Sequence, residues 1–235
     1  MRFLVTRSEP QCSASGQRLA ALGHEALTVP LMRQVTLGLP LLADVGYAAL
    51  AVTSARVAEV LKQDPQADAL KRLPVFAVGD RSAMAMRQAG WSQVMSAKGA
   101  GADLAQLILR AGVKGRLLYP AAADQAFDLA AALQSAGITV DTQVVYRMEV
   151  LGYLPNTIEQ ALAERQLDGT LLYSRRSAEI FTTLVAAASG LELLRNQRVI
   201  VMSHGVASSL PEFVETVIAT APNEEALFKA ALRLS

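Results

Sequence analysis

The stretch Thr53-Ser54-Ala55-Arg56-Val57-Ala58-Glu59-Val60-Leu61 recurs later in the chain as Tyr173-Ser174-Arg175-Arg176-Ser177-Ala178-Glu179-Ile180-Phe181. Residues 75–109 recur at nearly the same spacing from Val199 onward, and both copies read strand, small-residue turn, helix, strand, loop, helix. The opening unit repeats as well. Residues 3–29 read strand, helix, Leu19-Ala20-Ala21-Leu22-Gly23, strand; residues 117–144 read strand, helix, Leu133-Gln134-Ser135-Ala136-Gly137, strand. Three repeats in a consistent arrangement point to a duplicated α/β unit in which one copy is split. The expected domains are 1–35 plus 150–235, discontinuous, and 38–145, inserted. The two crossings fall near 32–39 and 145–152, flanked by Pro30, Pro40 and Pro155. The competing reading is a single doubly wound sheet whose repeat arose by chance.

Short apolar runs alternate with helical patterns throughout. Strands are predicted at 3–6, 26–29, 48–53, 75–78, 93–96, 116–119, 140–145, 170–174, 199–202 and 216–219. Helices are predicted at 12–22, 55–63, 82–89, 103–111, 124–136, 158–164, 178–188 and 224–232. Apolar strands alternating with helices imply parallel sheets covered on both faces, hence two parallel-sheet α/β domains.

Composition narrows the function. Hydrophobic residues make up 52% of the 235, but aromatics only 5%, too few for a base-stacking nucleic-acid surface. Lys and Arg number 22 against 21 Asp and Glu, so any anion site must be local. Cys12 is the single cysteine, and His24 and His204 have no partner at ligand spacing, which disfavours a disulfide or a metal centre. The charged start Met1-Arg2 and the lack of a long apolar run disfavour a signal peptide or membrane span, so a cytoplasmic chain without a membrane partner is expected. With no exposed apolar stripe evident, a monomer is expected.

Parallel sheets bind ligands at the carboxyl ends of their strands. There the chain places Thr6-Arg7, Thr53-Ser54-Ala55-Arg56, Gly79-Asp80-Arg81-Ser82, Ser174-Arg175-Arg176 and Ser203-His204-Gly205. Each Ser or Thr can simply cap its helix. Several such turns around one cleft also make an acceptor surface for carboxylates, through helix-terminal N–H groups. Arg7, Arg56, Arg81, Arg175 and Arg176 are either solvated or bidentate carboxylate holders. Tyr146, at the end of the 140–145 strand, faces hinge packing or the cleft; a phenol in the cleft can give a proton to a leaving hydroxyl. No GxSxG elbow, P-loop or GxGxxG is present, and Gly99-Ala100-Gly101 reads as a loop before a helix capped by Asp103.

The chain resembles the uroporphyrinogen-III synthase family over nearly its full length. The resemblance rests on Leu4-Val5-Thr6-Arg7 with Leu22-Gly23 and Pro30, Val52-Thr53-Ser54-Ala55-Arg56-Val57, Val75-Phe76-Ala77-Val78-Gly79-Asp80-Arg81-Ser82-Ala83, Leu118-Tyr119-Pro120, Val144-Val145-Tyr146 and Leu172-Tyr173-Ser174. It implies two flavodoxin-like α/β domains joined by a two-stranded linker, with the active site in the cleft. It also implies the substrate hydroxymethylbilane, a linear tetrapyrrole with eight carboxylates, and no cofactor. By resemblance, Tyr146 assists loss of the terminal hydroxyl. Thr53, Ser54, Arg56, Gly79, Ser82 and Ser174 bind substrate carboxylates, and Arg7 and Arg175 are added as cations at strand ends. A transient contact with hydroxymethylbilane synthase would suit such an enzyme.

Two turns depart from the family pattern. Its second Gly-x-x-Thr-Ala turn reads Ser203-His204-Gly205-Val206-Ala207 here, with Val206 in place of the hydroxyl, and His204 is either a solvated turn residue or a substitute. The usual Arg-Gly turn after the 116–119 strand reads Pro120-Ala121-Ala122-Ala123-Asp124, losing a cation that a second Arg in Arg175-Arg176 could offset. The rival readings are a non-catalytic, synthase-like tetrapyrrole-binding or pathway partner protein, and a hinged sugar- or anion-binding protein.

Overall fold

A computed structural model describes residues 1–42 and 46–233. Arg2–Val5 (β1) leads through Gln11–Ala21 (α1) to Glu25–Thr28 (β2), and Met32–Thr36 (β3) carries the chain onward. Next come Tyr47–Val52 (β4), Ala55–Lys62 (α2), Ala67–Leu70 (α3), Val75–Ala77 (β5), Asp80–Gln88 (α4), Val94–Ser96 (β6), Gly101–Arg110 (α5), Arg116–Ala122 (β7), Leu129–Gln134 (α6) and Thr139–Val150 (β8). The remainder holds Asn156–Ala163 (α7), Gly169–Leu172 (β9), Arg175–Ala188 (α8), a 3-10 turn at Leu191–Leu194, Arg198–Val201 (β10), His204–Ala207 (α9), Glu215–Ile218 (β11) and Glu224–Leu232 (α10).

The chain divides into two compact units. One comprises Met1–Gln34 and Glu149–Ser235; the other is Val35–Met148. Among the described residues the first unit holds a five-stranded sheet in the order β11-β10-β9-β1-β2, with every pair parallel. N- and C-terminal segments therefore share one sheet, with β1 lying between β2 and β9. A six-stranded sheet runs β3-β8-β7-β4-β5-β6, and the strands from β8 to β6 are parallel. β3 runs against β8: Leu31 O accepts from Leu151 N–H at 2.8 Å and Leu37 N–H donates to Val145 O at 2.9 Å, so partner numbers fall as β3 ascends.

Burial follows from this layering. In the first unit, Phe3, Val5, Leu171 and Ile200 pack under α1 and α10, while Leu4, Leu172, Val199 and Val201 pack under α7 and α8. In the second, Leu50, Val52, Leu118 and Val145 lie against α2 and α4, and Ala49, Ala51, Leu117 and Tyr119 against α5 and α6. Strands apolar on both faces belong in parallel sheets covered on both sides. The repeated glycines have a backbone cause. Gly23 (φ 81°) and Gly137 (φ 71°) end α1 and α6 in the left-handed region, where a Cβ is strained.

The structure alters several expected elements. The helix expected at 124–136 starts only at Leu129, because β7 continues to Ala122 and Asp128 caps α6 by accepting the Ala131 N–H at 2.9 Å. Asp103 is not the cap of α5. It is the third helical residue and reaches back to the Ala100 N–H at 2.7 Å. The strand expected at 140–145 extends over Thr139–Val150, placing Tyr146 inside β8 rather than after it. The short helices α3 and α9 were not expected; each spans four residues, too few to show helical periodicity.

Candidate active site

At the carboxyl end of β4 the chain turns through Thr53 and Ser54 into α2. Ser54 is extended (φ −145°, ψ 140°) and its hydroxyl accepts the Arg56 N–H at 3.2 Å. Ser54 is thus a helix cap, and capping uses a lone pair while leaving the hydroxyl proton. Thr53 Oγ1 lies 3.0 Å from the phenol oxygen of Tyr119, on β7 beside β4. Burial raises the Tyr119 phenol above its ordinary value; the Thr53 hydrogen bond offsets part of this, and the nearby Tyr146 phenol adds to it.

Tyr146 comes from β8, the neighbour of β7 on the other side. It is 4% exposed, sits opposite Ala122, and its carbonyl accepts the Ala123 N–H at 3.0 Å. Thr53, Ser54, Tyr119 and Tyr146 are among the residues lining one cavity of about 340 Å³, with Phe127 and Asp124 among its other walls. Phe127 is seated on Gly101, where a methyl group would meet its ring carbon at 2.4 Å. The residues lining the cavity thus include two tyrosines, a threonine and a serine, whose side chains are of a kind that can donate to an anion or to a departing hydroxyl.

Gly79 and Ser82 stand on the adjacent turn, where β5 enters α4. Gly79 is extended (φ −154°, ψ 172°), and a methyl group there would meet nothing within 4 Å. The fold does not demand glycine at this position. Ser82 is buried in the first turn of α4, and Arg56 lies half-buried in the first turn of α2.

The other predicted residues belong to the unit containing β1 and β9. Ser174 caps α8 reciprocally with Ser177: Ser177 N–H donates to Ser174 Oγ at 3.1 Å, and Ser174 N–H donates to Ser177 Oγ at 3.0 Å. Exposed Arg175 opens the same helix, and a methyl group on Gly205 of α9 would lie 3.8 Å from its Nη2. Val206 is 5% exposed and packs in the core, so this turn offers an arginine and backbone N–H groups but no hydroxyl at that position.

Arg7 is turned onto its own unit. Its Nη1 donates to Glu224 Oε1 at 2.8 Å, and its guanidinium carbon lies 4.4 Å from the centre of the Tyr173 ring. Glu224 also accepts from Ser15 and Arg18. Burial alone would raise the Glu224 carboxyl, but the Ser15 hydrogen bond and the charges of Arg7 and Arg18 together hold it below its ordinary value. Arg7 therefore has a carboxylate partner within its own chain.

Tyr119, Asp124 and Phe127 line the cavity without having been singled out as site residues in the sequence. Leu118-Tyr119-Pro120 is visible there only as a family motif. That Tyr119 meets Thr53 depends on β7 lying next to β4, and strand order is not written in a local pattern. Among the described residues, no group of three or more His, Cys, Asp and Glu side chains is placed to hold a metal ion, and no helix is long and apolar enough to cross a membrane.

A family model described as uroporphyrinogen-III synthase HemD matches residues 13–229. Among solved structures, the fold is similar to that of uroporphyrinogen-III synthetase from Helicobacter pylori, at 22% identity and a TM-score of 0.65, covering 100% of this chain and 99% of that one. It is also similar to a mutant uroporphyrinogen III synthase from the extremely thermophilic bacterium Thermus thermophilus, at 18% identity and a TM-score of 0.61, covering 100% of both chains. A comparison with curated proteins finds no match.

Proposed function

Because the chain belongs to the uroporphyrinogen-III synthase HemD family, we propose that it cyclises hydroxymethylbilane to uroporphyrinogen III, with loss of water and inversion of ring D. The observation that supports this reading is the cavity that Tyr146 lines together with Thr53 and Ser54. In the proposed reaction Tyr146 donates its proton to the terminal hydroxyl of the substrate, which leaves as water. The resulting azafulvene is attacked by the substituted carbon of ring D, giving a spirocyclic intermediate. That intermediate fragments and recloses as the type III isomer, and the proton lost in aromatisation restores the phenol.

The protein's task is mainly to hold a chain that is already activated and to exclude the direct closure that gives type I. Thr53, Ser54 and the backbone at Gly79 and Ser82 are proposed to take substrate carboxylates, with Arg56 supporting that turn. Ser174 and Arg175 are proposed to take substrate carboxylates as well. Arg7 acts through the Glu224 ion pair, fixing the end of β1. The reading needs no cofactor, and its substrate is a small molecule rather than a nucleic acid or a membrane. The chain is proposed to act as a cytoplasmic monomer that receives substrate from hydroxymethylbilane synthase.

One observation favours a second reading. Asp124 lines the cavity in the segment where the family often has a cation, which suits a protein that holds a tetrapyrrole without turning it over. An isomer assay separates the two. Hydroxymethylbilane is generated in situ from porphobilinogen and its deaminase, and the oxidised uroporphyrins are resolved by chromatography. A switch from type I to type III on adding the protein supports the enzyme; type I alone, with folded protein present, rejects it.

A further inference from the structure

We infer that Tyr119 is a positioning residue for Thr53: its phenol donates to Thr53 Oγ1 and leaves the threonine proton aimed at the ligand. The inference rests on the proposed reading of this cavity and adds to it a residue that works behind a binding hydroxyl.

Tyr119 is 2% exposed, among Ala49, Ala51, Phe76, Leu104 and Leu117. A buried phenol without a partner is costly. Among the described residues, Thr53 Oγ1, at 3.0 Å, is its hydrogen-bond partner. Either oxygen could donate across that distance, and chemistry decides between them. A phenol is far more acidic than an alkyl hydroxyl, so it is the better donor and the poorer acceptor. Burial, the largest influence on Tyr119, holds it protonated and keeps it a donor at ordinary pH. Threonine has one proton and two lone pairs. Once a lone pair of Thr53 is taken by Tyr119, the proton must point elsewhere, and Thr53 lies in the wall of the cavity. Accepting a bond from the phenol also polarises the Thr53 O–H and strengthens it as a donor. The β-branched side chain is stiff about χ1, so the orientation is held. Strand adjacency supplies the geometry: Leu50 on β4 is paired with Leu118 on β7, which brings Thr53 and Tyr119 to the same face of the sheet.

The test is a double-mutant cycle on type III formation, using Tyr119→Phe, Thr53→Val and the double variant, with thermal melting as a control for folding. Tyr119→Phe is expected to raise KM about threefold to tenfold with kcat nearly unchanged, the loss expected for one neutral hydrogen bond. In the Thr53→Val background the same change should have no further effect, since the group it orients is gone. In a Thr53→Ser background, which keeps a hydroxyl, the dependence on Tyr119 should return. An unchanged KM in Tyr119→Phe, or an equal effect with and without the Thr53 hydroxyl, overturns the positioning role while the proposed function stands. Type I product from the wild-type protein overturns the proposed function, and the inference with it.

Discussion

Val145 and Tyr146 are consecutive residues of β8, yet both turn inward into the same apolar cluster. Alternation along a strand would send one of them to the opposite face. The ladder shows how this is avoided. Ala121 of β7 faces Val144, while Ala122 faces Tyr146, so the register skips Val145. A bulge of this kind re-aims a side chain, and here it puts Tyr146, a residue that lines the cavity, on the same face as Val145.

Removing only the phenol oxygen tests the role given to that side chain. Tyr146→Phe keeps the ring that fills the core, so melting temperature should change little. Turnover to the type III isomer should fall by about a hundredfold, the lower range for a positioned acid. Initial rates with isomer analysis check this, and wild-type turnover in Tyr146→Phe would remove Tyr146 from the mechanism.

Gly79 separates ligand approach from folding. Its backbone is extended and the space beside it is open. Gly79→Ala should therefore be neutral or stabilise the fold by up to about 1 kcal/mol, through reduced freedom of the unfolded chain. The added methyl should still raise KM if substrate packs against this backbone. Melting curves and steady-state kinetics on the same preparation test both halves.

Glu224 sets an acid limit for its unit. Its folded value lies below the ordinary 4.5 because the Ser15 hydrogen bond and the charges of Arg7 and Arg18 outweigh burial. A lowered carboxyl stabilises the fold at pH above the unfolded value, and that contribution disappears as pH falls through the folded one. Glu224→Gln should be less stable than wild type at neutral pH, and the gap should narrow below about pH 4.5. Urea unfolding at a series of pH values checks the slope.

Tyr47 provides a control remote from the cavity. Its phenol donates to Asp141, which also accepts from Gln143 Nε2 at 2.6 Å and pairs with Arg116 at 3.5 Å. Burial, and then the Asp141 carboxylate, push the phenol from 10.0 to about 12, so its contribution is complete below pH 10 and is lost as pH rises through about 12. Tyr47→Phe should cost about 1–2 kcal/mol at neutral pH without changing the isomer ratio. A changed ratio would tie this end of the sheet to the chemistry.

The alternation of strands and helices was legible because each buried strand carries a compact apolar run and each long helix an apolar stripe. The pairing of Gly23 with Gly137 was legible too, since a left-handed turn leaves a glycine behind. The bulge at Val145 left no such mark: Val144-Val145-Tyr146 reads as ordinary strand, and only the partner strand shows which residue is skipped. Nor could the sequence show that Arg7 pairs with Glu224, which lies more than two hundred residues away.

β1 lies between β2, which is close to it in sequence, and β9, with which it pairs from Phe3 against Gly169 onward. On a ribosome, β1 and β2 emerge long before β9 exists. The apolar edge made by Phe3, Leu4 and Val5 must wait until the whole Val35–Met148 unit has been synthesised. That unit is one continuous stretch of chain and can close while the first strand is still half-clothed. At about 5–20 residues per second, the exposed interval lasts on the order of ten seconds. A burden on chaperones follows for the newborn chain, and it arises from the order of the segments rather than from the stability of the finished fold.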